Sequence, residues 1–261
     1  MSAGTLVTAA KGENGRILLR ALSLLILVVI WQLAATVIDD AGILPGPLAT
    51  ASVAWEQIRT GEMPFHIGIT LLRVAAAFVS AMIIGTAIGI TIGRVRVLDD
   101  MFDGWLVVAI NIPALVTIVL CYVWFGLTEV AAILAVALNK APTVVAITRE
   151  GARSLDRSLL EMAQIFNVPR LRVLLRIVLP QLAPSIMGAA RAGLALTWKI
   201  VLVVELLGRP DGVGFQIRRF FNFFDITGIF AYTLVFIAVM LAIEGMILKP
   251  IDRRLNRWRK V

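Results

Sequence analysis

Six apolar blocks, each close to the ~20 residues that cross a bilayer as a helix, constrain this chain more than any other feature. They run from Ala21 to Ile38, Gly68 to Gly93, Met101 to Phe125, Val130 to Thr148, Pro184 to Leu207 and Ile226 to Leu248. Hydrocarbon offers a backbone no hydrogen-bond partner, so such blocks must bond internally as helices. Composition agrees. Hydrophobic residues make up 59% of the 261 and charged residues 16%, whereas soluble domains hold roughly 45–50% and about 25%. The expected fold is an all-α membrane bundle of six transmembrane helices filling residues 21–248. Residues 1–20 are a short N-terminal segment and 249–261 a basic tail. Asn111, Pro113, Asn139, Lys140 and Pro142 interrupt the third and fourth blocks, and a packed bundle or a wet cavity tolerates such breaks.

The net charge of +8 is that of a membrane protein with its cations gathered on the cytoplasmic side. No soluble basic stretch is interleaved with aromatics as a single-strand nucleic-acid binder requires. With the N-terminus inside, Lys11, Arg16, Arg20, Arg94, Arg96, Arg149, Arg153, Arg157, Arg170, Arg172, Arg176 and the tail from Lys249 share one side. Only Arg59, Arg209, Arg218 and Arg219 fall on the other. Both termini are thus expected in the cytoplasm. The first block follows Lys11, Arg16 and Arg20 and reads as a retained helix, with signal-peptide cleavage near Ala34-Ala35 as the alternative. A single cysteine, Cys121, permits no intramolecular disulfide. His66 is expected to be an ordinary polar residue of the long loop from Asp39 to Ile67, in which Pro45-Gly46-Pro47 makes a turn before a short amphipathic segment around Ala51 to Ile58.

The segment from Arg149 to Pro180 (coupling loop 149–183) is long for a connection inside a compact domain, and such loops usually have a role. Ser158-Leu159-Leu160-Glu161 has the form of a capping box opening a helix through Met162, Ala163, Gln164, Ile165 and Phe166. Asn167 suits a left-handed stop, and Pro169 suits the first turn of a second helix. There Leu171, Leu174, Leu175 and Val178 share an apolar face, away from Arg172 and Arg176. Read from residues alone, this is either an interfacial element that packs on the bundle or a short helix that docks on a soluble partner.

The same stretch resembles the conserved loop of permeases from ATP-binding-cassette importers. Their pattern is EAA, three residues, G, nine residues, I, one residue, LP. Here Glu161-Met162-Ala163, Asn167, Ile177, Leu179 and Pro180 fall in register, with departures at Met162 for alanine and Asn167 for glycine. Thr70-Leu71-Leu72-Arg73, Ile112-Pro113, Trp124-Phe125-Gly126, the run Ala190 to Trp198 and Glu205-Leu206-Leu207-Gly208 are similar to the nitrate, sulfonate, taurine and bicarbonate branch. The likeness spans roughly residues 20 to 258. It implies a type I importer permease fold, working as two permease copies with two ATPase subunits and an external substrate-binding protein, in a bacterial inner membrane. Ser158, Glu161, Met162, Ala163, Ile165, Asn167, Pro169, Ile177, Leu179 and Pro180 would then form the ATPase-docking element. The chain holds no G-x-x-x-x-G-K-[ST] phosphate loop. No cofactor or metal is expected in it, and ATP and Mg would be used by the partner.

Lys140 and Lys199 fall near the middle of the fourth and fifth blocks, where a cation costs roughly 2.5–3.5 kcal/mol and generally faces a cavity or a partner. They either line a path for an anion or are internally satisfied, for example Lys199 by Glu205. Asn111, Thr117, Trp198 and Glu205 are further candidates for that path, or Asn111 stabilises a kink at Pro113. Arg73 and Arg191 read as interfacial anchors. Gly85, Gly89 and Gly93, at four-residue spacing, read as a surface for close helix approach. The loop Arg209 to Asp225, with Phe220, Phe221, Phe223 and Phe224, is a landing surface for the binding protein or an aromatic belt. A secondary transporter or channel needs no docking loop. A membrane hydrolase needs a nucleophile and base that are missing, since the only histidine lies outside the blocks and no G-x-S-x-G occurs.

Overall fold

The computed structural model describes residues 13–248 and Pro250. Residues 1–12 and, Pro250 apart, the expected tail lie outside these. The described residues are helical with no strand. In chain order the helices are α1 (Glu13–Ile38), α2 (Pro47–Arg59), α3 (Glu62–Arg94), α4 (Arg96–Asn111), α5 (Ala114–Phe125), α6 (Glu129–Arg153), α7 (Arg157–Ile165), α8 (Arg170–Val173), α9 (Leu179–Gly208), α10 (Val213–Asn222) and α11 (Ile226–Ile243). π-helical turns, Leu174–Val178 and Glu244–Leu248, precede α9 and follow α11.

Four helical stretches are long and apolar enough to cross a membrane: Ala21–Ile38, Glu62–Arg94, Glu129–Arg153 and Ile226–Met246. A fifth is added if α4 and α5, bent by 91° at their junction, form one broken span. The break falls at Ile112-Pro113, where Pro113 has no N–H to continue the ladder. The Asn111 side chain turns back to donate to the Val107 carbonyl at 2.8 Å. The fifth apolar block lies in α9, 30 residues long, with Arg191, Lys199 and Glu205 along it.

By packing, the residues fall into two units with boundaries after Met63, Gln216 and Val235. In the first, the expected loop from Asp39 to Ile67 is mostly helix. Pro47 opens α2 at a position where its missing N–H is no loss, and Gly61 alone carries the positive φ of the turn into α3. The Trp31 indole donates to the Pro45 carbonyl at 3.0 Å, tying α1 to that turn. The expected loop from Arg209 to Asp225 likewise contains α10. Phe220 is buried beside Tyr232 while Phe221, Phe223 and Phe224 stay exposed.

The second unit is built on close helix contact. Its core joins Val74 and Ala77 of α3, Ile118 and Cys121 of α5, Ala132, Ala135 and Val136 of α6, and Val201 and Val204 of α9. Small side chains dominate, as expected where backbones approach closely within a membrane. The glycine stripe of α3 does what its spacing predicts. A Cβ at Gly85 would lie 2.7 Å from the Val144 side chain, one at Gly89 2.8 Å from the Val145 carbonyl, and one at Gly93 2.5 Å from the Arg149 carbonyl. These glycines seat α3 on α6 within one subunit.

Candidate functional site

The element expected to dock a partner forms a helix, a tight turn and a re-entry into the bundle. Its cap is Asp156, not Ser158: the Asp156 carboxylate accepts from the Ser158 backbone N–H at 2.9 Å and from the Ser158 hydroxyl at 2.6 Å. The carboxylate reaches the orphan N–H first, so no capping box closes. The Ser158 hydroxyl in turn holds the Asp156 carboxyl below its ordinary range, helped by the Ser158 N–H. The Glu161 side chain is exposed and has no hydrogen-bond partner among the described residues.

Asn167 stops the helix as expected, with φ of 49°. The Asn167 N–H reaches the Gln164 carbonyl at 3.0 Å and the Val168 N–H reaches Ala163 at 2.9 Å. This is a Schellman closure, which satisfies two terminal carbonyls and needs a residue that tolerates the left-handed region. Pro169 falls one place earlier than expected, as the N-cap of α8.

The expected amphipathic second helix is instead the head of the fifth block, since α8, the π turn and α9 follow without a gap. Pro180 has no N–H for the Arg176 carbonyl. The wider turn before it, closed by the Leu179 N–H on the Leu174 carbonyl, makes room for its ring. That turn splits the expected apolar face. Leu174 and Val178 pack inward with Leu155 and Leu182, whereas Leu171 and Leu175 are exposed. Ile177 and Leu179 are half-buried, and Pro180 is exposed.

The nine residues of α7 present two unlike faces. Leu160, Ala163 and Gln164 face a cleft towards the bundle, with Ala163 buried. Met162, Ile165 and the following Phe166 are 49%, 77% and 74% exposed. An apolar cluster on so short a projecting helix gains nothing from this chain's own core. The segment is also shorter than expected, because Arg149 and Arg153 belong to α6. Arg149 is buried and bonds to Asp99, to Asp103 at 2.8 Å and to the Asp99 carbonyl at 2.9 Å. Arg153 bonds to Asp99 at 2.8 Å. These arginines tie α4 to α6.

The residues expected along a path do not form one site. Trp198 is half-buried and lines a small cavity of about 120 Å³ with Arg191, Ala195, Met240 and Glu244. Arg191 is therefore not only an anchor at a helix end. Lys199 is exposed, its Nζ 5.5 Å from the centre of the Trp198 ring. Lys140 is half-buried with no ion-pair partner among the described residues. Thr117 is half-buried and Asn111 exposed.

Glu205 does not pair with Lys199. It is fully buried and accepts from Thr70 Oγ1 at 2.9 Å, Arg73 Nη1 at 2.8 Å and the Gly214 N–H at 2.9 Å. Arg73 is thus no interfacial anchor. Only 3% exposed, it also bonds Glu129 Oε1 at 2.5 Å and Oε2 at 2.9 Å, the Asp211 carbonyl at 2.9 Å, and the Asp211 carboxylate. Arg209 reaches Glu129 at 2.5 Å and the Leu127 carbonyl at 2.6 Å. One guanidinium therefore holds α3, α6, α9 and the turn after α9 together. Gly212, at φ of 101°, and Gly214 give that turn its close approach to Glu205.

His66 is buried in α3 and is not a loop residue. Its Nδ1 accepts from the Gly212 N–H at 3.0 Å, and Gln216 lies 2.5 Å from Nε2. With Nδ1 accepting, a neutral ring carries its proton on Nε2 and needs an acceptor there. The Gln216 atom there is its amide nitrogen, while Oε1 is buried without a partner; turning the amide end for end would set Oε1 against that N–H. One sign of this network was present in the sequence. Thr70 and Arg73 are polar residues one turn apart in an apolar block, and two carboxylates, Glu129 and Glu205, edge other blocks.

Residues 81–257 match the family model of the binding-protein-dependent transport system inner membrane component. The chain belongs to this family. It is an ABC transporter permease, a transport subunit of the inner membrane whose ATPase lies in a partner subunit. The permease is 29% identical over 235 residues to the putative aliphatic sulfonates transport permease protein SsuC of Bacillus subtilis (strain 168), covering 90% of this chain and 85% of the relative. It is 26% identical to the taurine transport system permease protein TauC of Escherichia coli (strain K12), covering 74% and 70%. It is 30% identical to the riboflavin transport system permease protein RibX of Chloroflexus aurantiacus, covering 90% and 88%. In fold it matches a chain of the MetNI methionine ABC transporter in an inward-facing conformation, with a TM-score of 0.63, 16% identity, and coverage of 77% of this chain and 96% of that one. The permease has the type I importer architecture.

Proposed function

We infer that two copies of this permease form the path of an ATP-driven importer for a small anion delivered by an external binding protein, with α7 docking on the ATPase. The observation that carries the reading is the exposed apolar set Met162, Ile165 and Phe166 on a rigidly capped helix. A short helix that offers a soluble groove its side chains while its stop and re-entry are fixed can pass a push or pull into the bundle. The departures from the family pattern fit this use. Met162 lies on the partner face, where an unbranched side chain adapts to a groove, and Asn167 takes the left-handed turn that glycine would. In this arrangement six spans place both termini in the cytoplasm, on the side of α7.

A sulfonate-like anion is the solute favoured by the relatives named for sulfonates and taurine, and Arg191 and Lys199 on one helix suit it. The riboflavin-named relative marks the other outcome to be tested. The test is ATP-dependent uptake in proteoliposomes carrying the permease with its ATPase and binding protein. Glu161→Lys and Asn167→Pro are expected to abolish uptake while the chain still inserts, and full uptake in both would sink the docking assignment. Lys199→Met is expected to raise the apparent KM for an anionic solute several-fold. An unchanged KM in Lys199→Met and in Lys140→Met would end the anion-path reading.

A further inference from the structure

The inner face of the docking segment borders an open cleft within the second unit, about 720 Å³ in volume. Arg94, the last residue of α3, and Arg170, the first of α8, both line it. Gln164 and Asn167 add amide groups, Leu160 and Val173 an apolar wall, and no carboxylate lines it among the described residues. The guanidinium of neither arginine has an ion-pair or hydrogen-bond partner among the described residues. This sets them apart from Arg73, Arg149, Arg153 and Arg209, which are all paired within the chain. The Schellman closure of α7 removes a competing feature, because two carbonyls that would otherwise repel an anion there are already bonded.

We propose that this cleft binds a phosphate-bearing anion between Arg94 and Arg170. Guanidinium groups take phosphate oxygens through paired N–H donors, and two of them from separate elements enclose a phosphate better than a single surface arginine does. Arg94 ends a helix that is long and apolar enough to span a membrane, which puts the cleft at the depth of lipid headgroups. Basic pockets at such positions take anionic lipid headgroups, and the apolar wall suits the glycerol and the first acyl carbons. A free phosphate has the same chemistry without that wall. An occupant would join the end of α3 to the turn at Asn167 and so set the position of α7.

The test uses the full-length chain alone in nanodiscs, so its outcome does not depend on ATPase docking. Native mass spectrometry would compare retention of phosphatidylglycerol and phosphatidylcholine after release. A parallel arm would follow the melting temperature of detergent-purified chain against added inorganic phosphate. Retention of phosphatidylglycerol that falls about tenfold in Arg94→Gln and in Arg170→Gln is expected, the loss of one charged hydrogen-bond pair. Arg96→Gln and Arg172→Gln, neighbours that do not line the cleft, are expected to match wild type. Stabilisation by inorganic phosphate in wild type but not in the two cleft variants, without lipid preference, would assign the site to a free anion. Equal losses in the neighbouring variants would show surface charge alone and overturn the site, as would neither lipid retention nor phosphate stabilisation. Arg94→Lys and Arg170→Lys, which keep the charge but lose the fork, are expected to fall between; full loss of fold in the Gln variants leaves these to decide by the same comparison.

Discussion

Replacing Arg73 by methionine is the sharpest test of how this permease is held together. The side chain donates to three carboxylates and a carbonyl while only 3% exposed, and Glu205 beneath it is fully buried. Methionine fills much of the volume but leaves the Glu205 charge in the core with only the Thr70 hydroxyl and the Gly214 N–H. Breaking a buried pair from one side costs about 3–5 kcal/mol, most of it the penalty of the stranded charge. Glu129 keeps Arg209 at 2.5 Å, and Asp211 is partly exposed and can rehydrate, so the cost concentrates on Glu205. For a chain of this size a loss of that order lowers the melting temperature by roughly 10 °C. Adding Glu205→Gln should restore about half of the loss, because glutamine keeps an acceptor for Thr70 and Gly214 without a charge. Arg73→Lys should lie between, having a point charge but no fork. The assay is thermal unfolding of the purified chain in detergent, followed by tryptophan fluorescence and monodispersity. A shift of under about 2 °C for Arg73→Met, or no recovery with Glu205→Gln, would refute the reasoning.

Two further outcomes follow from local geometry. Gly93→Ala should destabilise by about 1–3 kcal/mol, since its Cβ would lie 2.5 Å from the Arg149 carbonyl. Gly104→Ala, which meets nothing within 4 Å, should be neutral or slightly stabilising, and the same thermal assay separates them. At Asp156 the folded carboxyl titrates below its unfolded value. Its capping contribution is therefore present above the ordinary carboxylate range and lost as pH falls through the lowered folded value. Hydrogen exchange of the α7 amides should accelerate over that interval in wild type. Asp156→Asn should keep the cap with no such pH dependence, and Asp156→Ala should exchange fast throughout.

What could be read in advance, and what could not, divides along one physical line. Periodicity and covalent chemistry are local, so the apolar blocks, the break at Pro113, the glycine stripe and the left-handed stop at Asn167 were all legible from residues close in sequence. Partners distant in sequence were not. Arg73 looked like an anchor because its acceptors stand 56, 132 and 138 positions away, and His66 looked like a loop residue because Gln216 is 150 positions on. The Ser158 capping box failed for a related reason: two acceptors compete for one N–H, and Asp156 reaches it first. The Pro180 π turn divides an apolar face that a uniform helical period drew as one. The same rule explains the difference between the two kinds of arginine here. Cations whose carboxylates are folded against them hold the bundle together, and they were misplaced by local reading. Arg94 and Arg170, which pair with no carboxylate among the described residues, line an open cleft behind α7, and an anion offered to that cleft is the charge the binding test supplies.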